Sequence, residues 1–227
     1  MTASDHDLWL FAYGSLMWRP GFAVEETRRA SLTGYRRCFS IYSVYHRGTP
    51  ERLGMVLGLD RGGVCDGIAY RIAAANVDQT HRYLRARELI NGVYREATVP
   101  VQLEGEPRAE VMALTYIVER AHPNYAHRLP LAKQARLIKG AKGISGANID
   151  YLVSTVRHLR DLGIRERELE RLVTMIGPLA WQRSHAQHTS PYAAAVVQAL
   201  RLQRPPVQRR ARKDERRRFL YRLQLER

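Results

Sequence analysis

Apolar residues change their period once along this chain, and that change limits the architectures open to it. Between residues 8 and 118 the apolar positions fall in short runs or alternate with polar ones, as strands do; from Leu129 onward they recur at helical spacing. Leu8 to Tyr13 (LWLFAY) reads as a short buried strand running into a turn at Gly14 and Ser15, with Trp18–Gly21 as loop. Two β-rich segments follow, 31–45 and 54–60. A turn at Arg61–Gly62–Gly63 leads into a further strand over 64–72. Asn76 or Asp78 could cap a helix reaching Ile90. Strands are expected at 93–103 and 109–118, separated by Glu104–Gly105–Glu106–Pro107, and helices at 131–140, 147–163 and 166–176. Strands with one helix among them, then helices alone, predict an α+β domain built on a compact, barrel-like sheet.

The 227 residues suffice for one domain of ordinary size plus an appendage. The formal net charge is +15, and its distribution divides the chain. Residues 171–227 hold 13 basic and 3 acidic side chains, a net of +10, whereas the preceding 170 residues carry only +5. The expected division is therefore a folded domain over 1–175 and a basic, Arg-rich extension over 176–227, partly helical or disordered. Two readings of the extension stand: a solvated tail without a partner, or a segment that binds nucleic acid or another acidic partner through its arginines. Aromatic residues are sparse among those arginines, which gives stacking on single strands little support. No run approaches the ~20 apolar residues of a membrane span, and Met1–Leu10 lacks the basic and apolar regions of a signal peptide. Cys38 and Cys65 stand far apart, outside any C-x-x-C spacing. Neither a disulfide framework nor a zinc site is expected, and a cytoplasmic setting fits.

Three segments offer chemistry. Tyr13–Gly14–Ser15–Leu16 ends the first strand; a glycine there can adopt φ > 0 or admit a ligand close to the backbone, and successive N–H groups can cradle an anion. No G-x-S-x-G elbow surrounds Ser15, so it makes a poor nucleophile. On the helix over 76–90, Val77, His81, Leu84 and Glu88 share one stripe, which aims the Glu88 carboxylate toward the sheet. A carboxylate so placed has a raised pKa and can serve as acid and base; the competing reading is a surface ion pair with Arg85 at i−3. Arg47, in the turn-rich loop His46–Pro50, could pair with a substrate carboxylate. Tyr94 stands at the entry to a strand, as an edge residue with its hydroxyl in a pocket or as a core residue. His158 reads as a surface or packing residue inside a helix.

Taken in order, FAYGSLMW over 11–18, YHRGTP over 45–50, GIAYR over 67–71, YLRARE over 83–88, GVY over 92–94, HPNY over 122–125 and SGANIDYL over 145–152 resemble the ChaC family of glutathione-specific γ-glutamylcyclotransferases. The resemblance covers about residues 8–175. It implies a small mixed or antiparallel β-barrel flanked by helices, and a lyase that uses neither metal nor other cofactor. By the same resemblance the turn Tyr13, Gly14, Ser15, Leu16 binds the γ-glutamyl group and Glu88 is the catalytic acid–base; Arg47 and Tyr94, from the reading of their own segments, are expected as further pocket residues. The implied substrate is reduced glutathione, degraded to 5-oxoproline and Cys-Gly by attack of the glutamyl α-amine on its own side-chain amide. Two alternatives remain at this point: a cyclotransferase for other γ-glutamyl amines, and a non-catalytic, nucleic-acid-associated protein that uses the basic tail.

Overall fold

A computed structural model describes residues 6–105, 108–177 and 198. The expected extension over 176–227 lies almost wholly outside those residues, as does part of the turn over 104–107.

Five strands close into a barrel in the order β1-β3-β2-β4-β5, where β1 is Leu8–Ala12, β2 Glu26–Ser43, β3 Gly54–Ile72, β4 Tyr94–Leu103 and β5 Ala109–Val118. All pairings are antiparallel except the closing one, in which β1 runs parallel to β5 through Trp9↔Ala113 and Leu10↔Leu114. The sheet is thus mixed. Between β3 and β4 lies α1 (Ala74–Glu88), and after β5 come α2 (Leu131–Gly140), the two-residue strands β6 (Lys142–Gly143) and β7 (Gly146–Ala147), α3 (Asn148–Asp161) and α4 (Arg167–Ile176).

Alternation along the strands sorts the core into two layers. Phe11, Leu32, Leu59, Ala69, Val101, Ala113 and Ile117, with their neighbours, form a cluster drawn from all five barrel strands and no helix. Their partners one position along, such as Leu10, Ile68, Tyr70, Ile72 and Leu114, pack instead with Val77 and Leu84 of α1, Leu152 and Val156 of α3 and Leu172 of α4. A period of two in the strands meeting a period of 3.6 in the helices builds both layers at once. Cys38 and Cys65 are buried as free thiols.

The hairpin of β2 and β3 differs from its expected form. The segments read as 54–60 and 64–72 are one strand, and β2 begins at Glu26 rather than near Ser31. Gly62 and Gly63 hold φ of +100° and +83° opposite Gly34 at +87°, and the register steps from Thr33↔Val64 to Tyr35↔Arg61. The glycines make a bulge, not a chain reversal, because positive φ can be absorbed inside a continuous ladder. The early start of β2 comes from pairing with the end of β3, where Glu26 faces Arg71.

The cap of α1 also differs. Neither Asn76 nor Asp78 occupies the N-cap position, which is Ala73. Instead Asp7, just before β1, accepts from the Ala74 N–H at 3.0 Å and pairs with Arg71. The loop Trp18–Gly21 is preceded by one 3₁₀ turn over Ser15–Met17. α3 is anchored by Asn148: its buried amide accepts from Met55 N–H at 2.6 Å and donates to Met55 C=O at 2.7 Å, satisfying one β3 residue on both sides. Among the described residues no helix is long and apolar enough to cross a membrane.

Candidate active site

Glu88 is the last residue of α1, where the negative end of the helix dipole disfavours a carboxylate. Burial pushes its carboxyl above the ordinary range, opposed by the neighbouring Arg87 guanidinium. The surface pairing with Arg85 does not form: Arg85 turns outward and grips Glu96 through two bonds of 2.9 Å. Glu88 Oε1 instead lies 3.0 Å from Arg87 Nε.

Arg87 carries this carboxylate to the turn after β1. Its second terminal nitrogen donates to Ser15 Oγ at 2.8 Å, and the first donates to the Arg19 carbonyl at 2.7 Å and to Tyr83 Oη at 2.9 Å. The turn closes through Met17 N–H to Gly14 C=O at 2.9 Å and Arg19 N–H to Ser15 C=O at 2.8 Å. The opening N–H groups of such a turn lack partners within it and can meet an anion. Gly14 does not use positive φ, as it sits at −127°. A Cβ built on it would meet nothing within 4 Å, so the glycine leaves open space above the backbone.

Four tyrosines, Tyr13, Tyr94, Tyr116 and Tyr151, feel the charge of this carboxylate, and three of them belong to the segments that offered chemistry or to α3. Tyr13, Tyr94 and Tyr151 each feel the Glu88 charge, and burial drives each phenol above its ordinary value, Tyr151 to about 12. All three therefore stay protonated at neutral pH. Tyr94 donates to the Leu57 carbonyl at 2.6 Å, and Leu57 N–H approaches Tyr151 Oη at 3.5 Å, so one residue of β3 fixes two phenols. The Tyr94 hydroxyl is thus buried against β3 at the entry to β4.

Arg47 joins through Tyr151. Its guanidinium lies 5.2 Å from the centre of that ring and donates to the Ala147 carbonyl at 3.3 Å, while its main-chain N–H is held by Ser43 Oγ at 2.9 Å. Arg47, Tyr94, Glu88, Tyr13 and the Ser15 turn are thus linked by contacts and fields that run through Tyr151 and Arg87. His158 lies outside the cluster as a packing residue, stacked on Trp18 at 4.5 Å with its Nδ1 on the Ser154 carbonyl at 2.7 Å.

Arg87, Tyr151 and Arg37 carry weight that the sequence reading did not assign to them. Arg87 and Tyr151 lay inside quoted motifs, next to Glu88 and three residues after Asn148, which was a usable signal. Nothing local marked Arg37. Its buried guanidinium holds the Tyr13 carbonyl, the Asp66 carbonyl and the Glu166 carboxylate, linking the turn to the start of α4.

The same segments align with known proteins. The family model described as ChaC-like protein matches residues 8–178. The chain belongs to the ChaC-like family. Among relatives of this ChaC-like chain, glutathione-specific γ-glutamylcyclotransferase 1 of Mus musculus is 32% identical over 176 residues, covering 76% of this chain and 79% of the relative. Glutathione-specific γ-glutamylcyclotransferase of Escherichia coli K12 is 33% identical over 172 residues, covering 76% and 74%. The crystal structure of a yeast γ-glutamyl cyclotransferase specific to glutathione superposes with a TM-score of 0.67 at 20% identity, over 82% of this chain and all of that one. That likeness establishes the ChaC-like barrel as the fold.

Proposed function

We propose that this protein is a γ-glutamylcyclotransferase that degrades glutathione to 5-oxoproline and Cys-Gly, with Glu88 as its acid–base. The observation that carries the reading is the partly buried Glu88 carboxylate, with a raised pKa, tied through Arg87 to an open Gly14–Ser15 turn. Relatives that cover three quarters of the chain bear the name of this activity.

In the proposed reaction the substrate's α-amine arrives protonated, and Glu88 takes that proton. The freed amine attacks the γ-carbonyl carbon and closes a five-membered lactam. The ring nitrogen sheds its second proton, the amide C–N bond breaks, and the departing Cys-Gly nitrogen takes up two protons, one of them returned by Glu88, and leaves as an ammonium. Nucleophile and electrophile belong to one molecule, and well-oriented intramolecular attack can supply about 7–11 kcal/mol. A carboxylate with a raised pKa supports proton transfer in both directions, worth about 10²–10⁴-fold. The N–H groups of the Tyr13–Leu16 turn take either the α-carboxylate or the carbonyl oxygen as it gains charge. Arg47, which lies over the Tyr151 ring, is assigned to a substrate carboxylate. Tyr13 and Tyr94 are assigned to the wall of the substrate pocket. The catalytic unit is placed in residues 1–175, with 176–227 as a basic extension to it.

The test is to incubate the purified protein with reduced glutathione and assay 5-oxoproline and Cys-Gly, beside Glu88→Gln. Both products are expected from the wild type and neither from the variant. Near-wild-type turnover by Glu88→Gln would refute the assignment, whereas products only from other γ-glutamyl amines would change the substrate and leave the chemistry intact.

A further inference from the structure

Arg87 and Glu88 are adjacent on a helix, and adjacent side chains point about 100° apart instead of facing each other. Their ion pair is therefore not a product of helix spacing. Arg87 reaches the turn after β1 and holds four acceptors on one planar guanidinium: Glu88 Oε1, Ser15 Oγ, the Arg19 carbonyl and Tyr83 Oη. Tyr83 stands at i−4 on α1, and its ring lies 6.0 Å from the guanidinium carbon. The Arg87 side chain is only a quarter exposed and that of Glu88 less than a fifth, so the pair is screened weakly by water.

We propose that Arg87 is a positioning residue for Glu88: it clamps Oε1, leaves Oε2 for proton transfer, and fixes the carboxylate relative to the Ser15 turn where the γ-glutamyl group binds. This rests on the reading of Glu88 as acid–base. The groups that face Glu88 are Arg87 on its own helix, Tyr13 at the end of β1, Tyr94 on β4, Tyr116 on β5 and Tyr151 on α3. Arg87 is the cation among them. It therefore opposes the burial that raises the Glu88 carboxyl, and it sets how basic the ionised carboxylate is. A guanidinium can serve four acceptors in fixed directions, whereas a lysine offers one ammonium point.

The experiment follows kcat and kcat/KM for glutathione against pH in wild type, Arg87→Met and Arg87→Lys. In Arg87→Met, kcat near neutral pH is expected to fall about tenfold or more through misplacement of the base. Its acid limb moves to higher pH, because burial then acts unopposed. In Arg87→Lys the charge remains and the limb stays near the wild-type position, while kcat falls about tenfold for want of the fork. A purely structural brace would lower activity without moving the limb in Arg87→Met. An unmoved limb there, or wild-type kcat in Arg87→Lys, would overturn the proposal. If near-ultraviolet circular dichroism shows Arg87→Met unfolded, the kcat of Arg87→Lys decides alone. If the wild type turns over no γ-glutamyl compound, the functional reading fails separately. The clamp is then read by carbon NMR titration of the Glu88 carboxyl in wild type and Arg87→Met, where an unchanged midpoint refutes it.

Discussion

Arg37 in β2 donates from Nε to the main-chain carbonyl of Tyr13, so a fully buried guanidinium sets the backbone from which the Gly14–Ser15 turn departs. The same group pairs with Glu166 at the start of α4 and with the Asp66 carbonyl. Removing one partner of a buried pair leaves the other uncompensated. Arg37→Met is expected to lose about 3 kcal/mol of stability, toward the low end of the range because Glu166 is partly exposed. Arg37→Met/Glu166→Gln should recover part of that loss. Chemical denaturation of the three proteins checks both statements, and an additive double variant would refute the coupling.

Gly14→Ala separates fold from function at the turn. The backbone there has negative φ and the added methyl meets no atom within 4 Å, so the variant should fold with stability within about 1 kcal/mol of wild type. The methyl occupies the space assigned to the γ-glutamyl group, and KM for glutathione should rise about tenfold or more. Unchanged kinetics in a folded variant would move the binding site away from this turn.

Tyr94→Phe tests the phenol fixed on Leu57. Loss of its hydrogen bond should cost about 1 kcal/mol. Because burial holds the phenol well above its ordinary value, it does not titrate near neutral pH. The variant is therefore expected to lower kcat/KM several-fold less than Glu88→Gln does, with both limbs of the pH profile in place. A displaced limb would mean that Tyr94 exchanges protons in the reaction.

Glu88 should also leave a trace in stability. Its folded-state carboxyl lies above the ordinary range, so over the window between the two values the folded protein holds a proton that the unfolded chain has released. Stability falls as pH rises through that window, and the loss persists above it; below the ordinary carboxylate value both states are protonated and the effect vanishes. Glu88→Gln removes the effect. Its Tm relative to wild type should be higher at about pH 7.5 than at about pH 4, and a difference that is equal or reversed between them would contradict the burial argument.

Much of this architecture is legible in the chain because it is local. The apolar run of β1, the alternation of β4 and β5, and the helical spacing of α2, α3 and α4 each follow from which residues lie two, three or four positions apart. The stripe of Val77 and Leu84 likewise announced which way α1 presents Glu88, and burial of both residues agrees. Sequence pattern likewise limited the choices to a barrel-like α+β domain, and only the resemblance to the ChaC family joined the Glu88 carboxylate to the Gly14–Ser15 turn. What it left open were matters of contact between distant segments. Gly62–Gly63 became a bulge because Gly34 sits opposite; Asp7 capped α1 because Arg71 brought it there; and Tyr151 entered the site because Asn148 fixed α3 on Met55. The choice of Arg87 over Arg85 as the partner of Glu88 was settled the same way, since Glu96 on β4 removed Arg85 from contention. Local spacing decides which face a side chain takes, but only closure of the barrel decides which charges and dipoles stand across from it, and these set its partner and its pKa.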